Sequence, residues 1–576
     1  MSNKANANDK NIKDIKEKEE PRIGVFVCHC GTNIGGVVDV PEVTEYASKL
    51  PYVVYAERNL YTCSSDGVDS IKRAIKEHNI NRVVVAACTP RTHEPLFRRA
   101  CEEAGVNKYL FEFANIRDQC SWIHMYEPEK ATEKAKEIVR MAVAKAALLE
   151  PQEESVINVD RTALVVGGGI SGMTAALSLA KQGFDVYLVE KEKELGGLLR
   201  KHYKLFPTFI ESEKVVKAVV EKVMDNEKIN VLTSSQIEDV DGYIGNFKVK
   251  VKSNGNEKEI KVGTIVIAIG AEEYKPTEFY NYDGKKVITQ LELEERLKGG
   301  NFDANTVVMI QCVGARGMKY SYCSKICCTN AVKNALIIKQ INPKASIFIL
   351  HNGINVYGEY EHLLVEARRK GIKFVKFPEN KLPEVGNGNE DEDKDKVKVK
   401  VFHESIGKEL LIDADLVVLS TPLIQPKDAE RLSKILKVPI GSDGFFYEAH
   451  VKLRPLDFAT DGVYLCGTCH GPRDVAESVA QALGAASRAS IPMAKGYVVA
   501  EAITASIDQD KCVKCGMCVD KCPYGAIRMN EKVEVIEALC KGCGTCIATC
   551  PTGALDQKHF RNSQIIAQIK SVMEWW

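Results

Sequence analysis

Residues 163–190 are the stretch that most restricts the possible fold. A short apolar run leads into a glycine-rich turn, which is followed by a helix and by a second strand that ends at Glu190. Gly167, Gly169 and Gly172 match the spacing G-x-G-x-x-G, which allows a tight turn, a close approach to a pyrophosphate, and close packing of helix on strand. Glu190 stands where an acid accepts a hydrogen bond from a ribose hydroxyl. The stretch therefore predicts a dinucleotide site with its phosphates at the helix N-terminus.

Three further segments are typical of a flavoprotein. Lys191 begins a loop that contains Leu195-Gly196-Gly197, which suits a second approach of backbone to the ligand. One buried strand ends at Gly270, and a later strand ends at Gly467-Thr468. We therefore expect FAD as the main ligand, bound by Gly167, Gly169, Gly172, Glu190, Lys191, Gly197, Gly270, Gly467 and Thr468.

A second α/β unit is expected from Val307 to about Ser420. Its first strand runs into a turn with only two glycines, Gly314 and Gly317, whose spacing differs from that of a pyridine-nucleotide turn. The pattern disfavours NAD(P)H binding in this unit, although we expect the fold to be retained.

Three cysteines, Cys323, Cys327 and Cys328, stand at the expected start of a helix in this unit. A helix N-terminus lowers thiol pKa values, so a redox-active disulfide is one interpretation, and simple packing of small residues is the other. Lys325, with Lys319 as second choice, is the candidate cation beside the flavin that would stabilise its reduced form. The candidate catalytic residues are therefore Lys325, Cys323, Cys327 and Cys328.

The C-terminal segment contains one cysteine spacing twice. Both repeats read C-x₂-C-x₂-C-x₃-C-P, which is the pattern of bacterial ferredoxins with two [4Fe–4S] clusters. Zinc is the alternative, but zinc sites group their cysteines in pairs. In the ferredoxin pattern each cluster takes its fourth thiolate from the other repeat. The sequence thus predicts one cluster on Cys512, Cys515, Cys518 and Cys550 and another on Cys540, Cys543, Cys546 and Cys522.

Six more cysteines lie between residues 28 and 120 in a βαβ-like pattern. Cys28 and Cys88 follow the expected strands 22–27 and 82–87, at the sheet edge where open α/β folds place their ligands. There is no local C-x-x-C pair. The spacing alone therefore leaves two interpretations open, a metal site and ordinary buried thiols.

Composition excludes several classes of protein. Lys+Arg and Asp+Glu both number 78, so no basic excess points to nucleic acid or to an anionic membrane. No apolar run approaches the roughly 18 residues that a membrane span needs. The polar first twenty residues predict a disordered tail and no signal peptide. We therefore expect a cytoplasmic protein whose 20 cysteines are ligands or redox groups.

Five longer blocks are more specific than these spacings. They are CHCGTNIGGVVDV (Cys28–Val40), VVVAACTPRTHEPLFRRACEEAG (Val83–Gly105), ANIRDQCSWIH (Ala114–His124), QCVGARG with YCSKICCT (Gln311–Thr329) and EAHVKLRPLDFATDGVYLCGT (Glu448–Thr468). Together they resemble the A-type iron–sulfur subunit of CoB–CoM heterodisulfide reductase and its bacterial relatives, from Pro21 to the C-terminus.

The resemblance implies an α/β fold with a thioredoxin-reductase-like core of two dinucleotide domains, an N-terminal α/β iron–sulfur domain and a C-terminal ferredoxin domain. It implies flavin-based electron bifurcation or confurcation between a two-electron donor, a disulfide-reducing partner and ferredoxin. It also implies one N-terminal [4Fe–4S] cluster, with Cys28 and Cys101 as alternative ligands. The ligands carried over are Cys30, Cys63, Cys88 and Cys120.

The same resemblance implies partners. These are heterodisulfide reductase subunits of the B and C types, an electron-input subunit of hydrogenase or formate dehydrogenase type, and ferredoxin. A homodimer within a larger complex is expected, in the anaerobic metabolism of methanogenesis. Neither nucleic acid nor a membrane span is expected.

One departure from the family concerns a ferredoxin domain that many members insert in the flavoprotein core. Here the expected hairpin of runs 247–251 and 258–262 continues directly to the strand at Ile265, without such an insertion. An NAD(P)H-dependent oxidoreductase like the small subunit of glutamate synthase, and a non-bifurcating relay subunit, therefore stay as alternatives.

The expected domain boundaries follow from these segments. They are a tail (1–20), an N-terminal iron–sulfur domain (21–125), a helical linker (126–158), the FAD domain in two parts (159–300 and 426–500), a second Rossmann-like domain (301–425) and a ferredoxin domain (501–576).

Overall fold

The computed structural model describes residues 20–253, 255–300, 302–386 and 396–573. The expected tail, apart from Glu20, and nearly all of the charged run 390–396 lie outside these ranges. The chain divides into two compact units, one formed by Met1–Ser155 with Val499–Trp576 and the other by Val156–Val498. The first unit therefore joins the two ends of the chain.

The first unit begins with a four-stranded parallel sheet. Its central strand Ile23–Cys28 is buried along its whole length, as expected for a parallel strand covered on both faces. In spatial order the strands are Val53–Asn59, Ile23–Cys28, Arg82–Ala87 and Phe111–Asn115.

Helices connect these strands and cover the sheet. The side chains of Asp39 and Ser64 accept hydrogen bonds from the backbone of the first turns of two of them, which fixes where these helices start. The helices are Thr32–Gly35, Val40–Ser48, Ser65–Glu77, Pro90–Glu103 and Pro128–Ala146, with one turn of π-helix at Arg117–Ser121.

The C-terminal part of this unit is small and has two hairpin-like strand pairs. Ala505–Ile507 pairs with Leu555–Gln557, and Ile527–Met529 pairs with Val533–Val535, both antiparallel. Its helices are Met517–Lys521, Thr545–Ala548 and Asn562–Met573.

A buried ion pair joins the C-terminal part to the N-terminal sheet. Lys145 Nζ lies 2.8 Å from Glu112 Oε2, and the two side chains are 3% and 12% exposed. The same ammonium lies 4.0 Å from the centre of the Phe560 ring, and His559 Nε2 lies 3.4 Å from Glu112. Residues 112 and 145 of the N-terminal part and residues 559 and 560 of the C-terminal part therefore contact one another around a single buried ion pair.

The second unit contains two parallel sheets of five strands. The first has the order Val463–Leu465, Thr264–Ile267, Thr162–Val166, Asp185–Val189 and Ile229–Leu232, and the second has the order Val287–Thr289, Leu416–Leu419, Thr306–Ile310, Ser346–His351 and Lys373–Lys376. The second sheet thus begins before residue 301. Each sheet, with the helices that pack on it, has the parallel α/β architecture of nucleotide-binding domains.

Helices pack on both sheets, and antiparallel strands are appended to each. The predicted hairpin is confirmed, because Phe247–Ser253 pairs with Asn256–Val262. A third strand, Ser235–Asp241, completes that sheet, and Glu384–Gly386, Val397–His403 and Lys408–Ala414 form its counterpart in the second half. Glu272–Glu273 pairs with Leu423–Ile424. The helices are Ile170–Lys181, Ser212–Met224, Gln290–Lys298, Cys327–Ile341, Glu361–Arg369, Ala429–Leu436 and Val475–Lys495, with short 3₁₀ turns at Gly197–Lys201, Gly358–Tyr360 and Gly467–His470.

Two short strands, Ser155–Asn158 and Tyr497–Ala500, stand where the chain passes from one unit to the other. None of the helices in the described ranges combines the length and apolar character that a membrane crossing requires.

The glycine turn of the first sheet is packed against backbone on two sides. A Cβ atom on Gly172 would lie 1.7 Å from the carbonyl oxygen of Gly167, and one on Gly167 would lie 2.3 Å from that of Ala268. Gly169, between them, has no atom within 4 Å of the position of a Cβ. The first and third glycines therefore serve packing, whereas the second leaves open space.

We expect Gly172→Ala to destabilise the second unit. The added methyl overlaps a backbone oxygen, and overpacking of this kind costs about 1–3 kcal/mol. Urea unfolding of the chain without cofactors measures it. Gly169→Ala is the matched control, because its methyl meets no atom within 4 Å; equal midpoints for the two variants would contradict the packing argument.

We expect Lys145→Ala to destabilise the first unit by about 3–5 kcal/mol, because it leaves the buried Glu112 carboxylate without its cation. Chemical unfolding measures the loss. Lys49→Ala removes a lysine from an ion pair whose members are each 70% exposed, and should leave the midpoint unchanged. A midpoint for Lys145→Ala equal to that of the Lys49→Ala control would show that the buried pair does not support the fold.

Candidate functional site

The second unit contains a cavity of about 1110 Å³ at the glycine turn. Seven of the nine predicted FAD residues line it: Gly167, Gly169, Glu190, Lys191, Gly197, Gly270 and Thr468. Gly172 and Gly467 lie behind the wall; a Cβ on Gly467 would be 2.2 Å from Ser171 Oγ, so it too permits close packing. The cavity follows the C-terminal edge of the first sheet, where open α/β sheets bind their ligands.

Glu190 is buried beside the turn, and its carboxylate is fixed by backbone donors. It accepts hydrogen bonds from the N–H of Gly168 and, at 2.8 Å, from that of Glu192. Each carboxylate oxygen has a second lone pair, so the group can still accept from a ribose hydroxyl. Opposite, a Cβ on Gly197 would lie 3.1 Å from Cα of Gly169, which places two glycine segments on one stretch of the cavity.

The far part of the cavity is lined by residues of the second half. Cys327, Asn330, Lys333 and Tyr360 belong to this wall. Lys333 was not singled out from the sequence. Its side chain is 1% exposed, its Nζ lies 2.8 Å from Glu294 Oε1, and it donates to the carbonyl of Lys204.

Glu294 joins Lys333 to a histidine. Its Oε1 lies 3.0 Å from His202 Nδ1, and its Oε2 accepts from the N–H of Tyr203. Burial alone raises the pKa of Glu294, but the charges of Lys333 and His202 outweigh burial and lower this pKa. The carboxylate is therefore ionised, and a buried charge network stands behind the cavity wall.

Lys325 and Lys319 do not line this cavity. Lys325 Nζ lies 2.6 Å from Glu477 Oε1, and Lys319 Nζ lies 2.6 Å from Glu278. Both ammonium groups are thus paired with carboxylates that are distant in sequence, and such partners cannot be read from a local pattern. Arg473, which does line the cavity, was missed for the same reason.

The three predicted cysteines belong to a group of four. Cys312, just after the central strand Thr306–Ile310 of the second sheet, shares the electrostatic environment of Cys323, Cys327 and Cys328. Cys327 both belongs to this group and lines the large cavity. The sequence signal for Cys312 as a member of this group is its place in the QCVGARG block, which directly follows a strand.

The expectation of lowered thiol pKa values at this helix start is wrong. The helix begins at Cys327, as predicted, but burial and the neighbouring thiols raise the pKa of Cys327 far above its ordinary value. Burial also raises the pKa of Cys328, to about 11. Desolvation of a thiolate therefore outweighs the helix terminus at this position.

The turn after strand Thr306–Ile310 contains Gly314 and Gly317. Between them, Arg316 Nη1 donates to Asn352 Oδ1 at 2.9 Å, and its Nη2 lies 3.1 Å from Glu379 in a largely exposed ion pair. A Cβ on Gly314 would meet the Tyr274 ring at 2.7 Å, so this glycine permits close packing. That this turn does not bind NAD(P)H stays a prediction.

Two small cavities in the C-terminal domain bring together the predicted cluster ligands. One is lined by Cys512, Cys515, Cys518 and Cys550, and the other by Cys522, Cys540, Cys543 and Cys546. Each set takes its fourth thiol from the other repeat. The donor chemistry and the enclosed spaces fit two [4Fe–4S] clusters.

The N-terminal sheet brings together a set of thiols that differs from the expected one. Cys28, Cys30, Cys63 and Cys88 share one electrostatic environment, and Cys28 Sγ accepts hydrogen bonds from the N–H groups of Cys30 and Thr62, each at 3.3 Å. These four cysteines lie at or after the C-terminal ends of strands in one sheet.

Cys120 stands apart from that group. Its thiol donates to the carbonyl of Ala131 at 3.0 Å, and the charged groups around it are Lys134 and Glu137. Cys101 is fully buried in the core, which raises its pKa to about 12. The structure therefore brings together three of the four expected ligands, with Cys28 in place of Cys120.

Within the described ranges, no three Cys, His, Asp or Glu side chains are close enough to bind a single metal ion. A four-iron cluster holds its thiolates further apart than one ion does, so this finding does not conflict with the cysteine groups above.

Two family models match the chain. Residues 161–310 match the family described as pyridine nucleotide-disulphide oxidoreductase, and residues 499–560 match the 4Fe-4S dicluster domain. Among solved structures, thioredoxin reductase of T. acidophilum is similar at 18% identity, covering 57% of this chain and 98% of that chain with a TM-score of 0.40.

Curated relatives cover nearly the whole chain. One is the A-type component of the H(2):CoB-CoM heterodisulfide,ferredoxin reductase of Methanothermobacter thermautotrophicus, which is 41% identical over 653 aligned positions, covering 96% of this chain and 98% of the relative. Another is the A-type iron–sulfur component of the CoB–CoM heterodisulfide reductase of Methanocaldococcus jannaschii, which is 37% identical, covering 96% and 99%. The first alignment is longer than the 576 residues of this chain, so that relative contains residues that this chain lacks.

The matches agree with the geometry. FAD and [4Fe–4S] clusters are the cofactors, and the architecture is a core of the pyridine nucleotide-disulphide oxidoreductase type with an appended 4Fe-4S dicluster domain. The length and identity of the alignments show that the chain belongs to the family of A-type iron–sulfur subunits of CoB–CoM heterodisulfide reductase.

Proposed function

We propose that this protein bifurcates or confurcates electrons at its FAD. An electron pair from a hydrogenase- or formate dehydrogenase-type subunit enters the flavin, and single electrons leave through iron–sulfur centres toward a disulfide-reducing partner and toward ferredoxin. The observation that supports this most directly is the cavity wall, in which the FAD-binding glycine segments and Cys327 of the four-thiol group line the same space.

The printed names of relatives support the choice of acceptors. The relative from Methanothermobacter thermautotrophicus is named for H(2), CoB–CoM heterodisulfide and ferredoxin, and that from Methanococcus maripaludis for H(2) or formate. FAD supplies chemistry that accepts electrons in pairs and releases them singly. The chain's own contribution is to bind FAD through the glycine segments and to place Cys327 of the four-thiol group in the wall of the same cavity.

The four-thiol group in the second sheet has the composition of a further cluster site. Four cysteines converge there, and burial disfavours their free thiolates, as the raised pKa values of Cys312, Cys327 and Cys328 indicate. Metal binding stabilises thiolates that are costly to bury alone. We propose a [4Fe–4S] cluster on Cys312, Cys323, Cys327 and Cys328, and another on Cys28, Cys30, Cys63 and Cys88.

The proposed domains differ from the expected ones at the start of the second Rossmann-like domain, because its sheet already includes Val287–Thr289. The N-terminal iron–sulfur domain and the C-terminal ferredoxin domain form one electron-transfer unit, whereas the two parts of the FAD domain and the second domain form the flavin unit. In this arrangement an inserted ferredoxin is replaced, as a relay, by the four-thiol group at the cavity.

Coupled turnover tests the function. The complex, purified anaerobically with its partner subunits and supplied with H₂ or formate, should reduce ferredoxin only while CoB–CoM heterodisulfide is present, with equal electron flow to both acceptors. Ferredoxin reduction that does not depend on the disulfide would contradict bifurcation. Rapid bleaching of the flavin by NADH in the isolated chain would favour the NAD(P)H-dependent alternative instead.

Iron content tests the cluster assignments. Anaerobically purified protein should contain about sixteen irons, at four per cluster. Cys327→Ser and Cys28→Ser should each remove about four irons, because each takes one ligand from a different cluster.

Cys469→Ser and Cys120→Ser are the matched controls, since both remove a buried thiol that lies outside the two groups, and neither should change the iron content. Loss of iron in Cys120→Ser with none in Cys28→Ser would restore the ligand set expected from the sequence. If the protein contains about twelve irons and Cys327→Ser contains the same number, the second sheet holds no cluster. Its cysteines would then be free thiols or a disulfide at the cavity.

A further inference from the structure

Three polar side chains form a row that ends at the FAD cavity. They are Glu448, His470 and Arg473, and the last of them precedes the helix Val475–Lys495. Glu448 Oε2 lies 2.9 Å from His470 Nε2, and Arg473 Nη2 lies 3.1 Å from His470 Nδ1. Arg473 lines the cavity.

We propose that Glu448 and His470 are positioning residues that hold the Arg473 guanidinium against the flavin and thereby raise its reduction potential. This inference rests on the proposed function only in that FAD occupies the cavity.

The hydrogen bonds allow one protonation state of the histidine. A guanidinium can only donate, and the side-chain nitrogen of Gln481 donates to the same Nδ1 at 3.1 Å, so Nδ1 accepts and Nε2–H donates to Glu448. Burial lowers the pKa of His470, and the charge of Arg473 lowers it further. His470 is therefore a neutral spacer that fixes the direction of the arginine.

Arg473 retains donors besides the one that it gives to His470. A guanidinium has five N–H donors, and one of them, on Nη2, is bonded to His470 Nδ1. The Nε of Arg473 is buried and has no hydrogen-bond partner among the described residues, so this atom does not face the open cavity. A donor that meets a ligand in the cavity is therefore on one of the two terminal nitrogens.

The position of Arg473 along the cavity indicates which part of FAD it faces. Glu190 marks the ribose end and the turn at Gly169 marks the pyrophosphate. Arg473 lines the same cavity as Cys327 and Lys333, and the residue after it, Asp474, accepts a hydrogen bond from Tyr360 of the second half at 2.9 Å. An FAD bound with its ribose at Glu190 and its pyrophosphate at Gly169 would therefore extend its isoalloxazine ring toward the part of the cavity that Arg473 lines.

The charge at this end has a definite effect. Reduction adds negative charge to the ring, and a fixed cation stabilises the form that carries it. The N-terminus of helix Val475–Lys495 adds little net positive potential, because the carboxylates of Asp474 and Glu477 cap it. Lys333 contributes less, because Glu294 neutralises it at 2.8 Å, whereas the partner of Arg473 is a neutral imidazole.

Redox titration of the flavin absorbance, under anaerobic conditions in the full-length protein, tests the proposal. Arg473→Gln should shift the equilibrium toward oxidised flavin by about tenfold, which equals about 30 mV for a two-electron couple. Arg473→Lys, which keeps the charge, should recover most of the shift. Glu448→Gln should shift the potential in the same direction but less, and adding it to Arg473→Gln should have little further effect.

Lys376→Ala is the control, because it removes a half-exposed lysine of the same unit that is paired with Glu404 and does not line the cavity. Its flavin potential should equal that of the wild type. An unchanged potential in Arg473→Gln, or an equal shift in Lys376→Ala, would overturn the proposal.

If Arg473→Gln binds no FAD, the proposal is tested with Glu448→Gln. An unchanged flavin potential in that variant would refute the positioning of Arg473 by Glu448 and His470. Failure of the proposed function gives a different result. In that case the wild-type complex contains FAD but does not couple its two acceptors, while the effect of Arg473 on the flavin potential is measured independently.

Discussion

The close contact of backbone with backbone at the glycine turn is the constraint on which the flavin unit depends. Any side chain at Gly167 or Gly172 would overlap a carbonyl oxygen, whereas Gly169 faces open space. Because the helix can approach the strand only in this way, its N-terminus is aimed at the cavity edge. The later segments at Gly197, Gly270 and Thr468 then close around the same space.

The thiol groups are divided between the two units. In the flavin unit, Cys327 of the four-thiol group lines the large cavity, while the other cysteine groups belong to the unit built from both ends of the chain. In that unit Lys145, Glu112 and His559 join the ferredoxin domain to the N-terminal sheet. A buried ion pair is costly to break, so the N-terminal and ferredoxin sites are held in one body.

The sequence predicted those parts of the site whose geometry is local. Strand Arg82–Ala87, the hairpin at residues 247–262 and both ferredoxin ligand sets were foreseen from short patterns. It did not foresee partners that are distant in sequence. Lys325 was selected for its position on a cysteine turn, yet Glu477 holds it outside the wall, and Cys120 bonds to Ala131 while Cys28 stands with the other thiols.

By itself, the sequence determined the dinucleotide turn, the two C-terminal cluster motifs and the family, because glycine spacing and cysteine loops encode geometry within a few residues. Only the tertiary structure decided which charges reach the flavin and which thiols form a group. Those choices depend on where strand ends and helix starts from distant parts of the chain meet. Burial decided the direction of the thiol pKa shifts, since desolvation raises the pKa of Cys327 and Cys328 although both lie at a helix N-terminus.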